Sequence, residues 1–156
     1  MNLPALNFPE LNIKIRSNKT YYEIYDCIRK KWIKLTPEEW VRQHLIKYLI
    51  EIAKCPPSLM QVEYSFSLFQ KNFRIDIAVF SNNLNPILLC ECKAYNVELT
   101  YSSLTQLAYY NLHYKTPCIL LTNGLKHILF YYNDEWKIDY KIPTYTELQN
   151  MCKTRV

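Results

Sequence analysis

The stretch from Arg74 to Tyr95, RIDIAVFSNNLNPILLCECKAY, sets the tightest limit on the fold. It holds two short apolar runs, Ile75–Phe80 and Ile87–Cys90, joined by the Asn-rich link 81–85. Short apolar runs bounded by turn residues read as strands. So short a link makes the two an antiparallel pair. The runs look fully buried, yet Asp76 lies inside the first, and Glu91 and Lys93 close the second. An unpaired charge in a protein interior costs several kcal/mol, so such groups are paired or bind a metal.

Alternation along a strand puts Leu89, Glu91 and Lys93 on one face and Cys90 and Cys92 on the other. The plain reading is a Glu91–Lys93 salt bridge at a strand end, with Asp76 capping a turn. The chemical reading is a cation site. A hard divalent ion takes oxygen ligands, usually one or two carboxylates plus water and substrate phosphate. Asp76 and Glu91 offer those carboxylates. Lys93 is then placed to orient or deprotonate a metal-bound water, or to stabilise developing phosphate charge.

The surrounding pattern supplies the rest of the fold. Thr36-Pro37-Glu38-Glu39 is a helix start, with Thr36 as N-cap, Pro37 in the first turn and Glu39 completing a capping box. Val41, Leu45, Leu49 and Ile52 recur at helical spacing, so a helix is expected from Pro37 to about Lys54. Strands are expected at Met60–Phe69, Phe73–Phe80, Pro86–Lys93, Pro117–Thr122 and Leu125–Tyr132, with Asn123-Gly124 as a turn. Helices are expected at Tyr101–Tyr114 and Thr144–Lys153, and a hairpin around Arg29–Lys31. The order is α-β-β-β-α-β with an appended strand and helix. A helical crossover between the third and fourth strands implies that they pair in parallel.

A chain of 156 residues is expected to be one domain. Residues 1–20 read as an N-terminal extension, 21–142 as the main region and 143–156 as a C-terminal helix and tail. Neither a membrane span nor an export signal is visible, so a cytoplasmic protein with reduced thiols is expected. Several of the six cysteines lie in apolar runs and read as core filler. Cys90-x-Cys92 lacks a second Cys/His pair at zinc spacing. A net charge of +5 permits a nucleic-acid partner without demanding one.

The conjunction of Asp76, Glu91-x-Lys93 and this element order resembles the PD-(D/E)xK phosphodiesterase superfamily, the restriction-endonuclease-like fold. Its proline before the aspartate is absent, since Ile75 stands there. The resemblance implies an α/β architecture in which a mixed central sheet is flanked by helices. It implies a glutamate from the first helix at the metal. Glu38 lies two turns before Leu45 on the inward face and is the better choice, while Glu39 serves the cap. Gln106-Leu107-Ala108-Tyr109-Tyr110 looks like the Q-x-x-x-Y motif of recombination- and helicase-associated nucleases, which implies that Gln106 and Tyr110 contact substrate.

More narrowly, residues 21–142 resemble the N-terminal domain of type I restriction enzyme R subunits, in a small stand-alone form without a translocase. The resemblance is carried by TPEEWVRQHLIKYLI, VEYSF, RIDIAVF, ECKAYNVEL, QLAYYN and LLTNG. It implies DNA cleavage with Mg²⁺ (Mn²⁺ substituting), with Asp76, Glu91 and Glu38 at the metal and Lys93 and Gln106 in catalysis. It also implies a helicase, translocase or methylation partner, and permits a homodimer. Glu63 and Arg74 match family positions and read as a supporting pair beside Asp76. His44, His113 and His127 show no ligand spacing. The competing functions are a nucleic-acid-binding or complex-forming module that does not cut, and a structural subunit docking through its tyrosines.

Overall fold

The computed structural model describes residues 3–68, 70–100 and 115–153. Among the described residues, two sheets and two α-helices form a mixed α/β fold. A small antiparallel sheet holds β1 (Ile15–Asn18), β2 (Tyr21–Asp26) and β3 (Lys31–Lys34) in that order. Then come α1 (Pro37–Glu51) and a short 3-10 turn at Pro57–Leu59. The second sheet is built from β4 (Met60–Leu68), β5 (Lys71–Phe80), β6 (Pro86–Cys92), β7 (Cys118–Thr122), β8 (His127–Asn133) and β9 (Glu135–Asp139), in chain order. The closing helix is α2 (Tyr145–Lys153).

Among the described strands of this sheet, β6 and β7 pair in parallel, as the crossover between them requires, and the other neighbours are antiparallel. The helix expected at 101–114 lies outside the described residues, as does His113.

The Thr36 hydroxyl caps α1 by accepting from the Glu39 amide at 3.1 Å. The carboxylate half of the expected capping box goes elsewhere: Glu39 turns to Arg42 and Gln43. The apolar stripe Val41, Leu45, Ile46 and Leu49 is buried with Ile77, Val79, Leu88, Cys90 and Leu120 on one face of the large sheet, and Leu148 of α2 joins it. Ala78, Leu89, Ile119 and Leu121 form a second core. Cys90 and Cys92 lie in the first core as free thiols, and burial raises both well above the ordinary thiol range. They are protonated filler.

Two strands differ from expectation. β1 lies in the segment read as an extension, and β9 follows β8 where no strand is expected. Both are largely exposed: β1 carries a single apolar residue, while β9 alternates Trp136 and Ile138 with charged residues but leaves both apolar side chains exposed, so each strand is held by its ladder. Residues before β1 also pack. Leu6 and Phe8 reach the main core, and the Asn7 amide donates to the Gly124 carbonyl at 2.7 Å. Gly124 has φ of +81°, and a Cβ there would meet Leu6 at 3.0 Å and Val41 at 3.1 Å. The single glycine thus sits where a left-handed turn and a close crossing coincide.

Candidate active site

Asp76 interrupts the large sheet on both sides. On the β4 side, the pairs Val62↔Ile77 and Tyr64↔Ile75 bracket Glu63, whose φ of +53° is in the left-handed region. Such a conformation in a non-glycine strand residue is costly and clusters at functional sites. On the β6 side, the ladder ends at Ile77↔Cys90. Beyond it the Cys92 amide donates to Asp76 Oδ2 at 2.7 Å instead of to a β5 carbonyl. The strands part around this carboxylate, and the gap is the cleft.

The cleft measures about 370 Å³ and is lined by Glu38, Asn72, Phe73, Arg74, Asp76, Glu91 and Lys93. Lys93 Nζ donates to Glu91 Oε1 at 2.7 Å. Its backbone amide donates to the Thr122 carbonyl at 2.8 Å, tying β6 to β7 just past the last residue of β6. Glu38 stands at the mouth, about half exposed. Arg74 also lines the cleft and pairs with Glu63 at 3.2 Å. Gln106 and Tyr110 lie outside the described residues.

Sequence reasoning missed Arg42, which organises the acidic side. Its side chain is only 2% exposed. Nη2 donates to Glu38 Oε1 and to Asp76 Oδ1, both at 2.7 Å, while Nη1 donates to Glu39. The signal was present: Arg42 is four residues after Glu38, so both lie on the Leu45 face of α1, where a cation must meet anions. A second group lies behind it. Gln43 donates to buried Asp26 at 3.0 Å and to Glu39 at 3.3 Å. Arg29 donates to Asp26 at 2.7 Å and to Glu63. The expected histidines are satisfied: His44 bonds the Trp40 carbonyl, and His127 bonds Thr122 and the Asn7 carbonyl.

The electrostatics follow from burial. Desolvation and then the charge of Asp76 push Glu91 above the usual carboxylate range, against the opposing pull of Lys93. Burial also raises Glu39, although Arg42 opposes it. For Lys93, desolvation would lower the ammonium, but Glu91, Asp76 and Glu38 outweigh it and raise it. Arg42 is likewise held charged by Asp76 and Glu39 against its own burial.

The donor set suits a hard cation. Asp76 and Glu91 present oxygen at one cleft, while Cys90 and Cys92 point into the core. Among the described residues no cluster of three or more His, Cys, Asp or Glu forms a metal cage. A Mg²⁺-type ion needs none, since it keeps several waters and takes one or two carboxylates.

A mixed sheet split around an aspartate, with a glutamate and lysine at the gap, defines a restriction-endonuclease-like α/β domain. The chain belongs to the type I restriction enzyme R protein N-terminus family, whose pattern matches residues 37–149. Two solved structures share the fold. One is a fragment of a candidate HsdR subunit of a type I restriction enzyme from Vibrio vulnificus YJ016. It is 20% identical with a TM-score of 0.61, over 76% of this chain and 25% of that one. The chain thus spans about a quarter of the length of that solved fragment. The other is a candidate nuclease of the DUF820 group from Anabaena variabilis ATCC 29413. It is 11% identical with a TM-score of 0.50, over 90% of this chain and 95% of that one. None of the curated proteins matches the chain. Among the described residues, no helix is long and apolar enough to cross a membrane.

Proposed function

We propose that this domain is a Mg²⁺-dependent DNA endonuclease that hydrolyses phosphodiester bonds, with Mn²⁺ able to substitute. The observation that carries it is the convergence of Asp76, Glu91, Lys93 and Glu38 on one cleft where the sheet opens. Asp76 and Glu91 would hold the ion directly and Glu38 through water. The ion supplies Lewis acidity toward the phosphate and an acidified water. Glu91 needs such a charge, since burial and Asp76 disfavour its anion. Lys93, held cationic by its acidic neighbours, donates to the attacking water or to the phosphate oxygen that gains charge. Gln106 and Tyr110 would position the substrate strand. Family membership supports a setting in a type I restriction system, with DNA and a translocase or methylation subunit as partners.

The test is nicking of supercoiled plasmid by purified protein in Mg²⁺ or Mn²⁺, beside Lys93→Ala and an EDTA control. Metal-dependent nicking that vanishes in the variant is the expected result. Undiminished cutting by Lys93→Ala would sink the assignment. One observation favours a second reading, a module that binds DNA without cutting. Arg42 already neutralises Asp76 at 2.7 Å, and that contact competes with a cation. This reading predicts DNA binding that is insensitive to Glu91→Ala and no turnover in either metal.

A further inference from the structure

The small sheet has one face against α1 and one toward solvent, and the solvent face has an unusual composition. Ile24 and Asp26, on the inner face of β2, are buried, and Asp26 accepts from Gln43 of α1. The strand register builds the outer face in three rows. Nearest the β2–β3 turn, Tyr25 pairs with Trp32, and the Tyr25 amide donates to the Lys14 carbonyl. Next, Glu23 pairs with Arg16 on one side and Lys34 on the other. Last, Tyr21 pairs with Asn18.

Cations lie over rings across these rows. Arg16 is 4.4 Å from the Trp32 centroid, Lys14 is 5.8 Å from Tyr25, and Lys34 is 6.0 Å from Tyr21. The one acid on the face, Glu23, is consumed by Arg16 at 2.6 Å. Lys19 and Lys30 add positive charge at the connections. The face is therefore a cationic aromatic platform. Its complement is anionic and carries flat π surfaces. An acidic peptide would use the cations and leave the rings idle. A duplex would present phosphates but keep its base faces stacked inside. A single strand presents both.

The platform also leads to the cleft. Arg29, in the β2–β3 turn, ion-pairs with Glu63, and Glu63 holds Arg74, which lines the cleft wall.

We infer that the outer face of β1–β3 binds a single-stranded polynucleotide by base stacking and phosphate contact, beside the cleft. This extends the nuclease reading to the form of its substrate, but binding here requires neither metal nor cleavage. Aromatic stacking tolerates any base sequence, so the platform recognises strandedness rather than sequence.

The test measures binding in EDTA with the full chain carrying Lys93→Ala, so loss of cutting and loss of binding are separate results. Labelled oligothymidylate, oligouridylate and a mixed-sequence duplex are titrated by fluorescence anisotropy, with heparin as a bare polyanion. Binding of either single strand is expected to be tighter than that of duplex. Three phosphate contacts would give a log–log salt slope of about −2. Tyr21→Ala should weaken single-strand binding about tenfold. Lys14→Glu with Lys34→Glu should weaken it further and flatten the slope. Should Tyr21→Ala melt early, Lys34→Gln keeps every ring and reads the same surface. Single-strand binding unchanged in the face variants overturns the inference. So does duplex bound at least as tightly as single strand, or heparin as the sole ligand.

Discussion

β5 and β6 run together from a dry end to a charged one. At the dry end, Ile77, Ala78, Val79, Leu88, Leu89 and Cys90 are fully buried, and Ile77, Ala78 and Val79 pair in register with Cys90, Leu89 and Leu88 before the ladder shifts between Val79 and Phe80. At the other end, one residue further along each strand, Asp76 faces the place where the ladder stops and Glu91 begins the charged set. Apolar packing makes the first end stable and chemically inert. The second end gives up ladder bonds, holds Glu63 in a left-handed conformation, and buries carboxylates against one arginine. The two ends share strands, so the dry one supplies the rigidity on which the charged one depends.

The sharpest test of that division is Lys93→Ala. Plasmid nicking should fall about a thousandfold, while the urea midpoint should move less, since Lys93 is itself a quarter exposed and buried Glu91, left without it, can take up a proton because its pKa is already raised. Equal losses of stability and activity would erase the distinction between the ends. Next in size is Arg42→Met, which leaves Glu38, Glu39 and Asp76 without their shared cation. It should lower unfolding free energy by about 4 kcal/mol, and added Mg²⁺ should restore part of this if Asp76 and Glu91 accept the ion. No response of the urea midpoint to Mg²⁺ would count against a metal site there. At the dry end, Leu89→Ala should cost about 3 kcal/mol through lost burial and a cavity. That loss should be the same with and without Mg²⁺.

The smallest effect tests the sign of the charged end. Glu91 is raised in the fold, so the protonated carboxyl suits the site better than the anion. Its contribution is fully present below the ordinary glutamate value and is lost as pH rises through the raised one. Metal-free Glu91→Gln should therefore melt slightly above wild type at neutral pH, and the gap should close as the solution is acidified toward the ordinary glutamate range. A variant that melts lower at neutral pH would show that the Lys93 pair outweighs burial.

Much of this was legible in the residues. The capped start at Thr36-Pro37 and the stripe Val41-Leu45-Leu49 located α1, because local hydrogen bonds and a 3.6-residue period act at short range. The apolar runs located β4 to β8, and the crossover gave the parallel β6–β7 pair. Exposed β1 was not legible, being short and mostly polar; β9 did carry a signal that was missed, Trp136 and Ile138 alternating with charged residues. The docking of Leu6 and Phe8 was also hidden: the first fifteen residues hold several other apolar side chains, broken up by prolines and asparagines, and no period singles out these two.

For the site, sequence alone determined the composition and local direction of the charges. Asp76 had to interrupt a buried strand, Glu91 and Lys93 had to share a face, and Glu38 had to look inward from its helix. Each follows from the period of a single element. Tertiary structure alone decided who meets whom. It brought Arg42 to an aspartate 34 residues away, opened the β5–β6 ladder around that aspartate, and set the Arg29–Glu63–Arg74 chain between the small sheet and the cleft. Charge pairing across elements depends on how faces pack, and packing is set by the whole core rather than by any one stretch of chain.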